Sequence, residues 1–431
     1  MFARSKLRGL LEARKPRGFV QSIYQLLGLA DANGNRYRDS FGRPQCRNPQ
    51  VRPQEFSLRC LAETIFGTDF ETDLQPDRLN KFSRWSEAMD QQGTPLLEAG
   101  GVDVTHFVNI NAFNATVGGL IDFQILAGFD APGYEISNLF TSIPTRLNGQ
   151  RMGRIGSIGD VAARRRPGEG TARVGLNEEW IDTPETEEYA LSIEVNQEAV
   201  FFDLTQDVLN KANSIGEAVR YRKEVRCIDV LIGETNPYEY KDTAYNTYLD
   251  TDPAAAGEWL NDSVNAFADQ TDIDNALQLF SRMTDPSSGK RVIIAGPYSL
   301  VTVPALEMLV AQVLGATGTE QRTASAAEIR HTINWVSGKI GTVIASPLMH
   351  MALRDAAKTT GGNLTEANSK RWWMISNGAY GYMENWPLRT DQANPQTKEM
   401  LDRGILAFYK ASERGVPIVQ EPRKAVRNKV A

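Results

Sequence analysis

The sequence predicts an α+β protein, and three stretches carry that expectation. Leu191, Ile193 and Val195 alternate with Ser192, Glu194 and Asn196, the period-two pattern of a strand with one buried face. Asp203 then stands as a helix N-cap three residues before Gln206, and Leu204, Val208, Ala212, Ile215 and Val219 follow along one helical face. Farther on, residues 273–345 alternate helical and strand-like runs.

The elements follow in chain order. Leu7, Leu10 and Leu11 suit a short amphipathic helix ended by Pro16, and residues 33–53 are an extended loop rich in turn formers. A helical patch spans 57–66, and residues 76–140 mix short helices with apolar segments such as Val117–Phe129. Residues 145–188 hold recurrent glycines and few large apolar side chains. That stretch cannot bury a core of its own and is expected to be a protruding β-hairpin or loop. In the helix after Asp203, Gly216 weakens the element by about 1 kcal/mol relative to alanine. Residues 236–275 are aromatic, Asp-rich and loop-like. A helix at 273–283 ends at the turn of residues 285–289, a strand covers Arg291–Ala295, a helix lies near 303–313 and a strand at 341–345. After a helical or turn region at 398–402, strands are predicted at Gly404–Tyr409 and Val416–Gln420.

The 431 residues are enough for two or three domains, and 41% apolar with 23% charged residues suits a folded chain with a real core. The net charge of −6 is unevenly placed: residues 1–60 hold twelve basic and four acidic residues, leaving −14 for the rest. A basic arm on an acidic body suits contact with a neighbouring acidic surface, or a solvated terminus. Cys46, Cys60 and Cys227 form no CxxC and are odd in number, so a disulfide framework is not expected and a reducing compartment fits. No apolar run is long enough for a membrane span, and the N-terminus lacks the apolar core of a secretory signal.

Catalytic and metal motifs are missing from the sequence. His106, His331 and His350 stand apart from any second ligand at metal spacing. Ile155 occupies the first glycine position of a nucleophile elbow at Gly156–Gly159. Lys290 and Lys339 follow glycines but precede Arg291 and Ile340, where a phosphate-binding loop needs a hydroxyl. Asp31, Asn33 and Asn35 begin like a calcium loop. Arg36 and Gly42 then occupy positions that need glycine and glutamate, so a turn is expected. Asp269, Asp272 and Asp274 suit a solvated loop and a helix N-terminus. No cofactor, metal or catalytic residue is expected.

The order of pieces resembles the major capsid proteins of tailed bacteriophages, of the Hong Kong 97 fold type. The resemblance is carried by the run ALSIEVNQEAVFFDLTQDVLNKANSIGEAVRYRKEVR, the Gly/Arg-rich loop before it and the ending RGVPIVQEPRKAVRNK, and it covers roughly residues 100–431. It implies an N-terminal arm and elaboration at 1–115, the start of a P-domain at 116–144 and an extended E-loop hairpin at 145–188. A P-domain with a long spine helix follows at 189–235, an A-domain at 236–399, and closing P-domain strands with a tail at 400–431. Removal of an N-terminal scaffold segment is not expected, since the chain starts at Met1.

The implied function is self-assembly, through pentamers and hexamers, into an icosahedral shell enclosing double-stranded DNA without sequence-specific binding. Scaffold, portal and decoration proteins are the further partner classes, and no membrane is involved. The implied location is the virion capsid, after synthesis in the bacterial host cytoplasm. The alternatives are an encapsulin-like nanocompartment shell around protein cargo and, more distantly, a soluble hydrolase; the chain is not expected to be an enzyme.

Two groups of residues are expected to touch neighbouring subunits. In the arm they are Arg4, Lys6, Arg8, Arg14, Lys15 and Arg17. In the E-loop, seven arginines and two acids occupy residues 146–173, and six acids with no base occupy 178–188. The tip Arg164, Arg165 and Arg166 is expected to lie on an acidic surface such as a neighbour's Glu178, Glu179, Asp182, Glu185, Glu187 and Glu188, because guanidinium grips carboxylate with two bonds. The alternative is that these charges only keep a hairpin soluble. Some relatives cross-link their shells through an E-loop lysine. No lysine lies between Lys81 and Lys211, so the shell is expected to be non-covalent.

Overall fold

A computed structural model describes residues 25, 31, 37 and 47 singly, then 104–155, 178–250, 259–284, 291–316, 318–322, 329–359, 364–365, 369–393 and 404–430. The expected helices near Leu7 and at 57–66, the turns at 285–289 and 398–402, Cys46, Cys60 and most of the calcium-like loop lie outside these residues. The chain divides into two compact units. One holds residues 1–131, 188–221 and 386–414; the other holds 132–187, 222–385 and 415–431.

In the first unit, helix α1 (Val104–Phe129) replaces the expected mixture of short helices. Val117, Leu120, Ile121, Ile125 and Phe129 are all buried, at the three- and four-residue spacing of a helix face. Strand β4 (Glu187–Asn196) places Ile193 and Val195 inside, whereas Leu191 is exposed. A short helix α2 (Gln197–Phe201) leads to α3 (Thr205–Ile232), whose 28 residues span about 42 Å. Helix α3 starts two residues after the expected cap. Asp203 sits at φ 55° and accepts a hydrogen bond from the Thr205 hydroxyl at 2.7 Å.

Val208, Ala212 and Val219 are buried on α3 as expected, while Leu204 is exposed. Gly216 does more than weaken the helix. A β-carbon there would lie 1.9 Å from the Ile125 carbonyl oxygen, and one on Gly128 would lie 2.0 Å from that of Asn213. The two glycines bring the backbones of α1 and α3 into direct contact. The Arg220 guanidinium then covers the Phe129 ring, 5.3 Å from its centroid. Strands β13 (Tyr380–Ala393) and β14 (Ile405–Val419) enter this unit over 386–393 and 405–414, with β14 between β13 and β4.

The second unit contains β1 (Thr141–Pro144), parallel to the start of β13. It also contains an antiparallel sheet of β2 (Arg151–Ile155), β3 (Glu178–Asp182), β5 (Tyr238–Tyr240) and β6 (Thr243–Tyr245). Its largest sheet runs in the order β11 (Ile340–Ala345), β8 (Tyr298–Thr302), β12 (Trp372–Ser376), β15 (Ala425–Lys429), β7 (Asp262–Val264). Helices α4 (Gln270–Phe280), α5 (Pro304–Gly315) and α6 (Pro347–Thr359) and a hairpin of β9 (Gly318–Arg322) with β10 (Ile329–Ile333) complete it.

Asp269 caps α4 in a capping box with Asp272, which accounts for that acidic cluster. The strand expected at Arg291–Ala295 is not formed: only an isolated bridge joins Thr284 to Arg291, and the regular strand begins at Tyr298. The described residues of 236–275 hold more regular structure than expected, namely β5, β6, β7 and the start of α4.

The core of the second unit is dense in aromatics. Trp259, Trp372 and Trp373 are buried, and Phe267 meets Trp372 edge to face at 5.3 Å. Asn261, fully buried, is satisfied on every side. Its Oδ1 accepts from the Leu249 amide, and its Nδ2 donates to the carbonyls of Thr247, Pro422 and Ala425. The C-terminal strand is fastened by Asp262, which accepts two bonds from Arg427 and one from Lys429 at 2.7–3.0 Å.

Candidate assembly surface

The paired strands β2 and β3 form the described base of the stretch expected to protrude. Arg151 and Asp182 are opposite each other in the register, and the Arg151 Nε donates to Asp182 at 2.9 Å. The turn between β5 and β6 consists of Lys241 and Asp242, both with positive φ (50° and 59°), as a tight two-residue hairpin turn requires. That turn offers Asp242 as a second acceptor for Arg151. The guanidinium also lies 5.3 Å from the Trp180 ring centroid. Each exposed pair is worth only ~0–1 kcal/mol. Together they fix the direction in which β2 and β3 leave the sheet.

The six expected acids do not share one environment. Glu179 is buried, 3% exposed, and neither carboxylate oxygen has a hydrogen-bond partner among the described residues. Asp182 is held by Arg151, and Glu187 lies 3.5 Å from Arg226. Glu188 accepts from Lys410 at 2.6 Å. That hydrogen bond, assisted by the charges of Lys410, Arg389 and Arg414, holds the Glu188 carboxyl below its ordinary value against a smaller opposing effect of burial. Glu185 is exposed. The side chain of Glu178 and all of Arg164, Arg165, Arg166, Arg4, Lys6, Arg8, Arg14, Lys15 and Arg17 lie outside the described residues.

Several organising residues gave no signal in the sequence. Glu224 is fully buried, and its two oxygens accept from the amides of Ile136 and Ser137 at 2.6 and 2.9 Å, closing the start of a 3-10 turn at Ile136–Leu139. Lys223, four residues after Val219, continues the buried stripe of α3 and lies 3.4 Å from Glu384 and 4.0 Å over the Tyr382 ring, so a charge replaces an apolar side chain on that face. In the first unit, Arg389 and Arg414 both approach the Trp386 ring, at 4.5 and 5.5 Å. Except for Arg389, three residues beyond Trp386, these partners are dozens to hundreds of residues away in sequence, and no local pattern marks them.

Among the described residues, no group of three or more His, Cys, Asp or Glu side chains is placed to hold a metal ion. No described helix is long and apolar enough to cross a membrane. His350 is exposed on α6, and Cys227 is buried and in no disulfide among the described residues.

Residues 181–428, more than half of the chain, match the family model described as phage capsid protein. The chain belongs to the phage capsid protein family. This capsid protein is therefore a structural shell subunit of the virion that associates with copies of itself, and its α+β fold is that of a phage capsid subunit. Solved structures similar to the capsid protein include that of Mycobacterium phage Patience, at 10% identity over 80% of this chain and 90% of the other, with a TM-score of 0.40. The capsid of cyanophage P-SCSP1u gives 13% identity over 68% and 86%, with a TM-score of 0.38. A virus-like particle from Pyrococcus furiosus gives 12% over 71% and 96%, with a TM-score of 0.36. No curated protein matches the capsid protein significantly.

Proposed function

We propose that this capsid protein tiles an icosahedral shell of pentamers and hexamers around double-stranded DNA, without reading its sequence and without catalysis. The observation that carries the reading is the family match over residues 181–428. In this reading α3 is the spine helix of a P-domain at 116–144, 189–235 and 400–431. Residues 145–188 are the E-loop, 236–399 the A-domain and 1–115 the arm. Synthesis takes place in the bacterial host cytoplasm, with scaffold, portal and decoration proteins as accessory partners.

The E-loop tip Arg164, Arg165 and Arg166 and the arm residues Arg4, Lys6, Arg8, Arg14, Lys15 and Arg17 are the proposed contacts with neighbours. Of the acidic stem, Glu185 is the most available acceptor, because it is exposed whereas Glu179 is buried and Asp182, Glu187 and Glu188 lie against Arg151, Arg226 and Lys410. Long extensions suit a shell, since each specific contact buries roughly 1,000 Å² or more and a compact body cannot supply several such areas.

The test is the content of particles made in the phage's own host and treated with nuclease. Protected double-stranded DNA of uniform length supports the reading. Particles holding only a protein cargo would replace it with the nanocompartment reading, and small soluble oligomers with no particles would leave neither.

A further inference from the structure

The stretch Arg291–Pro297 combines strand-forming chemistry with an absence of strand pairing. Val292, Ile293 and Ile294 are β-branched, yet the regular strand starts only at Tyr298. Ile293 is 92% exposed, the highest among the exposed large apolar side chains described, and its backbone makes no hydrogen bond among the described residues. Its neighbours are anchored. Val292 donates to the Met283 carbonyl at 2.9 Å, the Ile294 carbonyl accepts from the Tyr298 hydroxyl at 2.8 Å, and the Ala295 carbonyl accepts from Ser376 at 3.0 Å. Ile293 is thus held outward by a fixed frame.

The surroundings extend this surface. A cleft of about 570 Å³ is lined by Ala295, Gly296 and Pro297 together with Trp335 and Lys339. Trp335 is 51% exposed. A β-carbon on Gly341 would lie 2.9 Å from Pro297, so the cleft abuts β11, an edge strand of the five-stranded sheet. Gly341, Thr342 and Val343 are exposed along that edge. Exposed strand edges and clustered exposed apolar groups mark contact surfaces. Arg291 and Lys339 are exposed on this face and have no ion partner among the described residues. Outside the first 60 residues the chain carries −14, so a surface with two unpaired cations complements the body of another copy.

We propose that Ile293, the neighbouring cleft that Ala295 and Trp335 line and the edge of β11 form one contact surface, and that its occupant is a second copy of this chain. The proposal rests on the shell reading and deepens it by naming the surface. In the contact the free backbone of Ile293 gains a hydrogen-bonding partner and the indole of Trp335 is covered.

Amide hydrogen exchange, compared between assembled particles and subunits dissociated from them, tests this on the native chain. Amides of residues 291–296 and 341–343 should exchange at least about tenfold more slowly in particles. Equal exchange in both states would overturn the proposal and leave the shell reading intact, whereas a chain that forms no particles would remove both. An Ile293→Glu variant, which removes the apolar side chain and opposes the charge complementarity, provides a second arm. Because the side chain is exposed, the variant should melt within a few degrees of the unmodified subunit yet assemble at least tenfold less. Normal particles from that variant would also overturn the proposal.

Discussion

Gly216 on α3 faces the carbonyl of Ile125 on α1 with no room for a side chain: a β-carbon would sit 1.9 Å from that oxygen. Gly128 makes the reciprocal approach to Asn213 at 2.0 Å. Two helices that touch at backbone level cannot absorb a methyl group by rotating a neighbouring side chain. In an exposed helix Gly→Ala gains about 1 kcal/mol. Here Gly216→Ala is expected to lose stability, by about 3 kcal/mol, because overpacking against backbone outweighs propensity. Urea unfolding of the subunit checks the sign, and a more stable variant would show that the helices separate freely.

The Asp262 cluster gives a pH dependence. Burial alone would raise the Asp262 carboxyl, but hydrogen bonds and charge from Arg427 and Lys429 outweigh it and carry the group below its ordinary value. A depressed acid contributes stability that is fully present above its unfolded value, about 3.9, and is lost as pH falls through the folded value. Stability of the unmodified subunit should therefore fall below about pH 4. Asp262→Ala should cost about 3 kcal/mol at neutral pH and show a shallower acid dependence. Melting temperatures between pH 2 and 7 measure both, and parallel profiles for the two proteins would count against the cluster.

The sequence disclosed elements whose pattern is local. The alternation at Ile193 and Val195 and the α3 stripe at Val208, Ala212 and Val219 appear in the structure because each has one buried face. Elements without a polar face were misjudged. Strand β12 is buried along all of Trp372–Ser376, so it shows no alternation. Helix α1 is apolar and interrupted by Gly118 and Gly119, which made it resemble short pieces. Strand β14 runs unbroken through the two strands expected at Gly404–Tyr409 and Val416–Gln420; a β-carbon on Gly415 between them would lie 2.6 Å from the Met383 carbonyl, a close approach that only glycine permits. The acidic stem was legible as charge but not as environment, since burial of Glu179 and pairing of Glu188 with Lys410 depend on the tertiary fold.

Covalent state follows from lysine placement. With none between Lys81 and Lys211, residues 145–188, the proposed E-loop, cannot supply an amine for an isopeptide cross-link. Purified particles boiled in detergent and reductant should give one band near 47.8 kDa. A ladder of surviving multimers would contradict this.

The arginine tip is testable by charge reversal. Replacing Arg164, Arg165 and Arg166 with glutamate should leave the subunit folded by circular dichroism but reduce particle yield at least tenfold, or make particles dissociate at modest salt. Each shell repeats the contact many times, so terms of ~1 kcal/mol per pair accumulate. Salt-resistant particles in normal yield would show that the arginines are merely solvated.

The most direct test of the shell assignment is electron cryomicroscopy of the assembled protein. Closed icosahedral particles, whose pentamers and hexamers are built from this chain with residues 145–188 lying over a neighbouring subunit, are the predicted result. A stable monomer or small oligomer under every condition, including co-expression with the phage's own scaffold and portal, would contradict it.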